Sequence, residues 1–497
     1  MGDANTADQR PHLRATLILA CLAQFMVILD VSVVNVALPS IRNALHFSEA
    51  DLQWVVNAYT VTFAGFMLLG GRAADLIGRR RTFVSGLVLF ALASLAGGVA
   101  QSQATLIAAR AAQGLGGAVI APASLSILTA TFEEGAARNR ALGVWGAMGA
   151  AGGSAGVLLG GLLTQALSWR WILFINVPIG LIAALLAQRY IAEGRNPERA
   201  QGFDLAGAVT ATAGLSLLVL GIVRTDVTGW GSAETLSVMA AGVLLLVVFV
   251  LIEGRFAKSP LMPLRIYRSR TLSTANLVVL LLGAAMFAMW FFVSLYLQQV
   301  LGYKPIKAGL CFLPMTVAIA ICSTSAPRLV QRFGAKPLLI TGMLLLTGGL
   351  LWFTDLSATG SYLSDVLVPS VITAVGMGLA FVPVTISAVA GVDRREAGLA
   401  SGLVNTSRLF GGALGLAILA AIATARTNSD LHHGPATVHA VHVALTDGFQ
   451  VAFVVAAMFA LAGAVVAAVG LPRIPSRAPE PEPVAEQLDA VGAGASG

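Results

Sequence analysis

The chain has 497 residues, 57% of them hydrophobic and only 11% charged, with a mean hydropathy of +0.82. A soluble globular domain carries about a quarter of its residues as charges, so this composition excludes one and describes a polytopic membrane protein. The net charge of +7 is a matter of membrane topology and implies no nucleic-acid partner.

Nearly uncharged runs close to the roughly 20 residues that a helix needs to cross a bilayer recur along the chain, and the short alternating patterns of a membrane barrel are absent. They predict helices near 15–38, 51–70, 83–100, 104–130, 141–165, 171–189, 203–223, 235–253, 273–298, 308–327, 336–354, 366–391, 399–425 and 449–471. An even number of spans puts both termini on one side. The loops on that side carry most of the lysines and arginines, whereas the opposite loops hold Arg42, Arg170, Arg224, Lys304, Lys307 and Arg426. The positive-inside rule therefore predicts cytoplasmic termini in a cell membrane. Two arginines, Arg110 and Arg408, fall inside helices.

The first helix holds "MVILDVSVVN", with Asp30 in mid-membrane. A charge there costs several kcal/mol unless it faces a cavity or a partner. The other acids near predicted helices, Asp75, Asp204, Glu253, Asp355 and Asp365, lie at helix ends. Counted inward at about 1.5 Å per residue, Asp30 and Arg110 lie at similar depths, roughly 12 Å and roughly 9 Å. They are expected partners at one level of a central cavity, with Gln113 and Gly114 on the same face as Arg110. Asn35 is turned about 140° from Asp30, so it is expected to pack or cap. Two readings of the pair stand at this point: a proton-coupling site, or a static buried pair that fixes the first and fourth helices.

The loop "GGRAADLIGRRR" joins the second and third helices, and "RLVQRFGAKP" joins the tenth and eleventh. Aligning Gly78 with Gly334 also sets Arg80 against Lys336 and the first helix against the ninth, a faint repeat of two six-helix halves. The expected organisation is an N-tail over 1–14, a six-helix bundle over 15–200, two inserted helices over 201–256, a second bundle over 257–472 and a disordered tail over 473–497. In the first loop, Gly71, Asp75, Gly78, Arg79 and Arg80 read either as a conformational latch or as a solvated basic loop. In the fifth helix, glycines 152, 156 and 160 repeat every four residues and line one face for close helix packing. The histidines 432, 433, 439 and 442 lack an acidic or cysteine co-ligand and are assigned no role, and no metal site is expected.

These motifs together resemble the major facilitator superfamily, and within it the fourteen-helix drug:proton antiporters of EmrB/QacA type. "LDVSVVNVALPSI", "RAAQGLGGA", "WRWILFINVPIG", "LGYKPIKAGLCFLP" and "AGLASGLVNTSRLFGGALG" carry the likeness, as does the 71–81 loop, although Ala73 and Leu76 depart from its usual pattern. Gly143, Gly152, Gly156, Gly160 and Gly161 match the antiporter motif of the fifth helix, with Val157 where the motif has proline. The resemblance implies an all-α major facilitator fold of two six-helix bundles plus two inserted helices, and no enzyme activity. It also implies export of amphipathic or cationic drug-like compounds in exchange for protons, without a cofactor. The chain carries no Walker motif, so ATP is not the expected energy source. A dedicated exporter of one metabolite or antibiotic, and a non-transporting scaffold or sensor, are the alternatives. Trp54, Tyr59, Trp145, Met148, Met286, Trp290 and Phe381 are candidates for a cavity wall suited to bulky ligands.

Overall fold

The computed structural model describes residues 4–133, 136–194, 204–257, 260, 262–390, 392, 397–432 and 437–472. The expected tail over 473–497, the bundle boundary at 200, His433 and the side chains of Asp75 and His432 lie outside the described residues. The described chain is helical and contains no strand. Its principal helices are α1 (Ala4–Leu45), α2 (Trp54–Leu76), α3 (Arg79–Gly98), α4 (Gln103–Thr131), α5 (Ala136–Ala166), α6 (Asn176–Tyr190) and α7 (Leu205–Thr228). They continue with α8 (Ala233–Leu251), α9 (Arg270–Leu295), α10 (Leu313–Phe333), α11 (Ala335–Trp352), α12 (Leu367–Ala390), α13 (Ala397–His432) and α14 (Val438–Gly470).

The described residues contain 14 helical segments long and apolar enough to cross a membrane, matching the sequence expectation in number and order. The ends differ. α1 begins at Ala4, ahead of the apolar run, and α14 begins at Val438, before the expected 449. Hydropathy marks where the membrane ends, whereas a helix continues for as long as its backbone hydrogen bonds are favourable. Starts are set by caps: Ser102, Ser232, Ser269 and Thr437 each accept a backbone N–H of the following turn, as such residues do.

The faint repeat becomes physical at the helix junctions. Gly78 and Gly334 both have positive φ, 116° and 87°, with extended ψ, a conformation that glycine alone adopts readily. Just beyond them, Arg80 donates to the carbonyls of Gln188 and Ile191 at the end of α6. Lys336 Nζ donates to the carbonyl of Leu471 at the end of α14, 2.7 Å away. In each half, the cation at the start of the third helix caps the end of the sixth, where carbonyls lack intrahelical partners.

α7 packs Val219, Ile222 and Val223 against Ala417 and Ala421 of α13, and Leu215 against Val61 of α2. It therefore touches both halves. α8 rests on α7, and only 11% of its span is buried within the protein.

On the face opposite the chain termini, hydrogen bonds join the two halves. Ser294 Oγ and Gln298 Nε2 donate to the carbonyls of Asn35 and Val36, at 2.6 and 2.9 Å. The backbone N–H of Ile306 donates to Gln165 Oε1 at 3.2 Å. Within the first half, the glycine face of α5 packs tightly on α1. A Cβ on Gly152, Gly156 or Gly160 would come within 2.7–2.8 Å of the carbonyl oxygens of Phe25, Leu29 and Val33 along α1. Gly161 is equally close to Pro305, and the carbonyl of Val157 sits against Gly309. α5 runs as helix through Val157, where the motif proline is missing. Gly143 has no such role: a Cβ there would meet nothing within 4 Å, nor would one on Gly146. α5 is thus packed on α1 through its glycines toward the closed face, while Gly143 and Gly146 nearer the termini present open space.

Gly156→Leu is expected to overpack the seam and lower unfolding stability by about 1–3 kcal/mol, whereas Gly143→Ala should be neutral. Thermal unfolding of the purified variants in detergent checks both.

Candidate functional site

Asp30 lies in α1 and is fully buried, and Arg110 in α4 is 2% exposed. Arg110 Nη1 donates to Asp30 Oδ2 at 2.5 Å and to Gln113 Oε1 at 2.9 Å, and its Nε donates to the carbonyl of Val55 at 2.9 Å. The other carboxylate oxygen, Asp30 Oδ1, accepts from Gln113 Nε2 at 3.0 Å and from Asn176 Nδ2 at 2.8 Å. Gln113 Nε2 also reaches Ser94 Oγ at 2.6 Å. The Tyr59 ring covers the guanidinium, its centroid 4.6 Å from Cζ. Residues from α1, α2, α3, α4 and α6 thus converge on one carboxylate, which has an acceptor role on both oxygens. Such charge-assisted contacts are the strong class of hydrogen bond, and at this depth they replace water.

The expected pairing of Asp30 with Arg110 is present, and Gln113 joins it. The expected cavity position is corrected. The central cavity, about 240 Å³ in volume, is lined by Val27, Ile28, Val31, Ser32 and Asn35 of α1, and neither Asp30 nor Gln113 is on its wall. Residues 27, 31 and 35 recur at the four-residue spacing of one helix face, and Asp30 sits about 100° away from Val31. Asn35, expected only to pack or cap, is the cavity residue, and its Nδ2 also donates to the Val31 carbonyl at 3.2 Å. Tyr59 stands between the two regions: it lines the cavity and covers Arg110, and its buried hydroxyl has no hydrogen-bond partner among the described residues.

The cavity is otherwise apolar and aromatic, with Phe63 from α2, Met286, Phe287 and Trp290 from α9, and Ile319 and Ala320 from α10. Thr60, Ser154 and Thr316 add neutral polar groups. Arg408 of α13 is the charged residue on this wall. Of the aromatic and thioether candidates, Tyr59, Met286 and Trp290 line it. Trp145 donates its ring N–H to Ser124 Oγ, and Trp54 packs beside α7 and α13.

Sequence reasoning passed over Asn176 and Ser94. The one available signal was polarity within apolar runs, as in "LFINVPIG", and that does not reveal a shared acceptor. In the 71–81 loop, Arg80 and Arg81 approach Glu193 at 3.5 and 3.6 Å, and the N–H of Arg79 donates to the carbonyl of Gly194 at 3.1 Å. The described contacts of these arginines stay within the first half. A cross-half contact comes from the neighbouring Arg72, whose Nη2 donates to the Pro260 carbonyl at 2.7 Å. A Cβ on Gly71 would have ordinary contact with Pro122 at 3.6 Å.

A helical bundle of two six-helix halves with two added helices, enclosing a central cavity, defines a membrane transporter. The sequence profile of the Major Facilitator Superfamily matches residues 20–416, and the chain belongs to that superfamily. It is 45% identical over 452 residues to the cephamycin export protein CmcT of Amycolatopsis lactamdurans, covering 90% of this chain and 91% of that protein. It is 38% identical to the puromycin resistance protein pur8 of Streptomyces alboniger, covering 90% of this chain and 88% of the relative. Among solved structures, a bacterial homologue of the human lysosomal transporter Spinster, inward-facing and unoccupied, superposes with a TM-score of 0.68 at 16% identity, covering 92% of this chain and 96% of that one. The nucleoside transporter NupG gives 0.65 at 12% identity, covering 92% and 100%.

Removing one member of a buried ion pair leaves the other charge uncompensated, at a cost of about 3–5 kcal/mol. Arg110→Gln is expected to lose stability of that order, and adding Asp30→Asn to it should recover a good part of the loss. A double-mutant cycle in denaturant unfolding measures the coupling; strictly additive losses would mean that the two side chains do not depend on each other.

Proposed function

We propose that this chain is a proton-coupled drug-efflux antiporter of the cell membrane, with both termini in the cytoplasm. The observation that carries the reading is the fully buried Asp30 carboxylate, bound by donors from three other residues and separated from a drug-sized apolar cavity by Tyr59. With the termini inside, the conformation is closed to the outside, and the carboxylate is satisfied as an anion, the state that follows proton release to the cytoplasm. In the outward-open state the network opens, Asp30 takes a proton, and substrate leaves the cavity. Return to the inward state re-forms the pair with Arg110. The close α1–α5 seam is the surface over which these movements are accommodated, with Gly152, Gly156 and Gly160 as its contact points and Gly161 at the junction between halves.

Asp75 is proposed as a latch between the two states, with Gly71, Gly78, Arg79 and Arg80 shaping its loop. The positions of Arg80 and Lys336 at equivalent helix ends give each half a rigid corner on the cytoplasmic side. α7 and α8 are proposed to stand outside the transport cycle as an insert. A dedicated exporter of one antibiotic is the second reading, favoured by the 45% identity to an export protein named for a single antibiotic class. A survey of toxic compounds against cells with and without the protein separates a broad from a narrow substrate range.

Asp30→Asn keeps the shape of the side chain and removes its proton chemistry. It is expected to abolish gradient-driven export in everted vesicles, a loss of at least about tenfold in initial rate, while the purified variant still binds substrate. Undiminished export by the variant would remove Asp30 from the coupling step. Asp75→Asn is expected to slow export without loss of protein from the membrane and to change two-sided accessibility labelling; unchanged labelling and rate would end the latch assignment.

A further inference from the structure

Arg408 is the charged residue on the cavity wall, and its surroundings differ from those of Arg110. Its Nε and Nη2 both donate to one neutral acceptor, Asn405 Oδ1, at 3.2 and 2.7 Å. Asn405 is held in turn by Met67 Sδ, to which its Nδ2 donates at 3.2 Å. The guanidinium lies 5.7 Å from the Phe381 ring centroid. Among the described residues no carboxylate pairs with it. Asp30 is unavailable, because both its oxygens are occupied within the first half. Among the described residues the fork has no further acceptor, and Arg408 borders the cavity.

An uncompensated arginine at membrane depth is costly, and such residues mark substrate paths. The planar fork suits a carboxylate, which accepts two parallel N–H bonds. A fixed positive charge in this low-dielectric space also repels cations. The apolar walls formed by Val31, Phe63, Met286 and Trp290 would hold the body of such a ligand.

We propose that Arg408 is the anion-recognition residue of the cavity, and that the substrate is an amphipathic organic acid whose carboxylate it binds. This rests on reading the cavity as the drug chamber, and it narrows the expected range from amphipathic or cationic compounds to anionic ones. Asn405 acts as a positioning residue that orients the fork.

The test is equilibrium binding of three matched probes to the purified full-length protein, read by energy transfer from tryptophan: dansyl-glycine (an acid), dansyl-glycinamide (neutral) and dansyl-ethylenediamine (a cation). The parent should bind the acid at least about tenfold more tightly than the amide, with the amine weakest. Arg408→Gln should bring the acid and amide to equal affinity, and Arg408→Lys should restore part of the preference. If the parent binds amide or amine as tightly as acid, or Arg408→Gln keeps the preference, the proposal is wrong. The parent's own ranking decides the matter even where a variant fails to fold. Vesicle transport is scored separately: transport without the ranking overturns the anion site alone, and the ranking without transport supports the anion site while overturning the efflux reading.

Discussion

A carboxylate in the middle of an apolar bundle needs donors on both of its oxygens to replace water. In this protein that constraint organises the first half. Asp30 draws Arg110 and Gln113 from α4 and Asn176 from α6, while Val55 and Ser94 take up the donors left over. Five of the six helices in the half are tied to one acid, so any step that protonates or exposes it is felt by all of them. The sixth, α5, lies outside this network and packs on α1 through glycines. Polar attraction fixes one face of α1, and close backbone contact fixes the other.

The second half has a different electrical character. Among the described residues Arg408 is held by the neutral Asn405 amide and the Phe381 ring, with no carboxylate, so its charge is left for whatever enters the cavity. In the proposed division of labour, the proton is handled by a closed network in one half and the substrate's charge by an open arginine in the other. Tyr59 lies where the two regions touch. Movement of one half against the other would then alter both sites together, which is what exchange through one cavity requires.

How much of this was legible in the sequence follows from what hydropathy and spacing encode. Run length determines membrane spans, so the fourteen helices could be read directly. Counting depth from the ends of two helices placed Asp30 beside Arg110, because helical rise is regular. The direction of Asp30 was harder to read. Charge alone suggested the cavity, while the cavity-facing stripe of α1 is Val27, Val31 and Asn35. The facing of a residue depends on which neighbours surround its helix, and one helix's periodicity does not contain that information. Asn176 was hidden for the same reason: its partner is 146 residues away. The glycine repeat in α5 could be read as a packing face, but only the structure distinguishes Gly152, Gly156 and Gly160, pressed against α1, from Gly143, where an added Cβ would meet open space. The Gly78–Gly334 alignment was faint by sequence and clear in backbone angle, because a turn constrains φ more tightly than it constrains the residues around it.

The central claim is that the proton exchanged for substrate resides on Asp30. The most direct measurement is proton release on substrate addition to the purified protein in weakly buffered detergent solution, compared between the parent and Asp30→Asn. Release from the parent and none from the variant, with substrate bound by both, is the expected result. Equal release from both would contradict the claim and leave Asp30 and Arg110 as a static pair that holds the first half together.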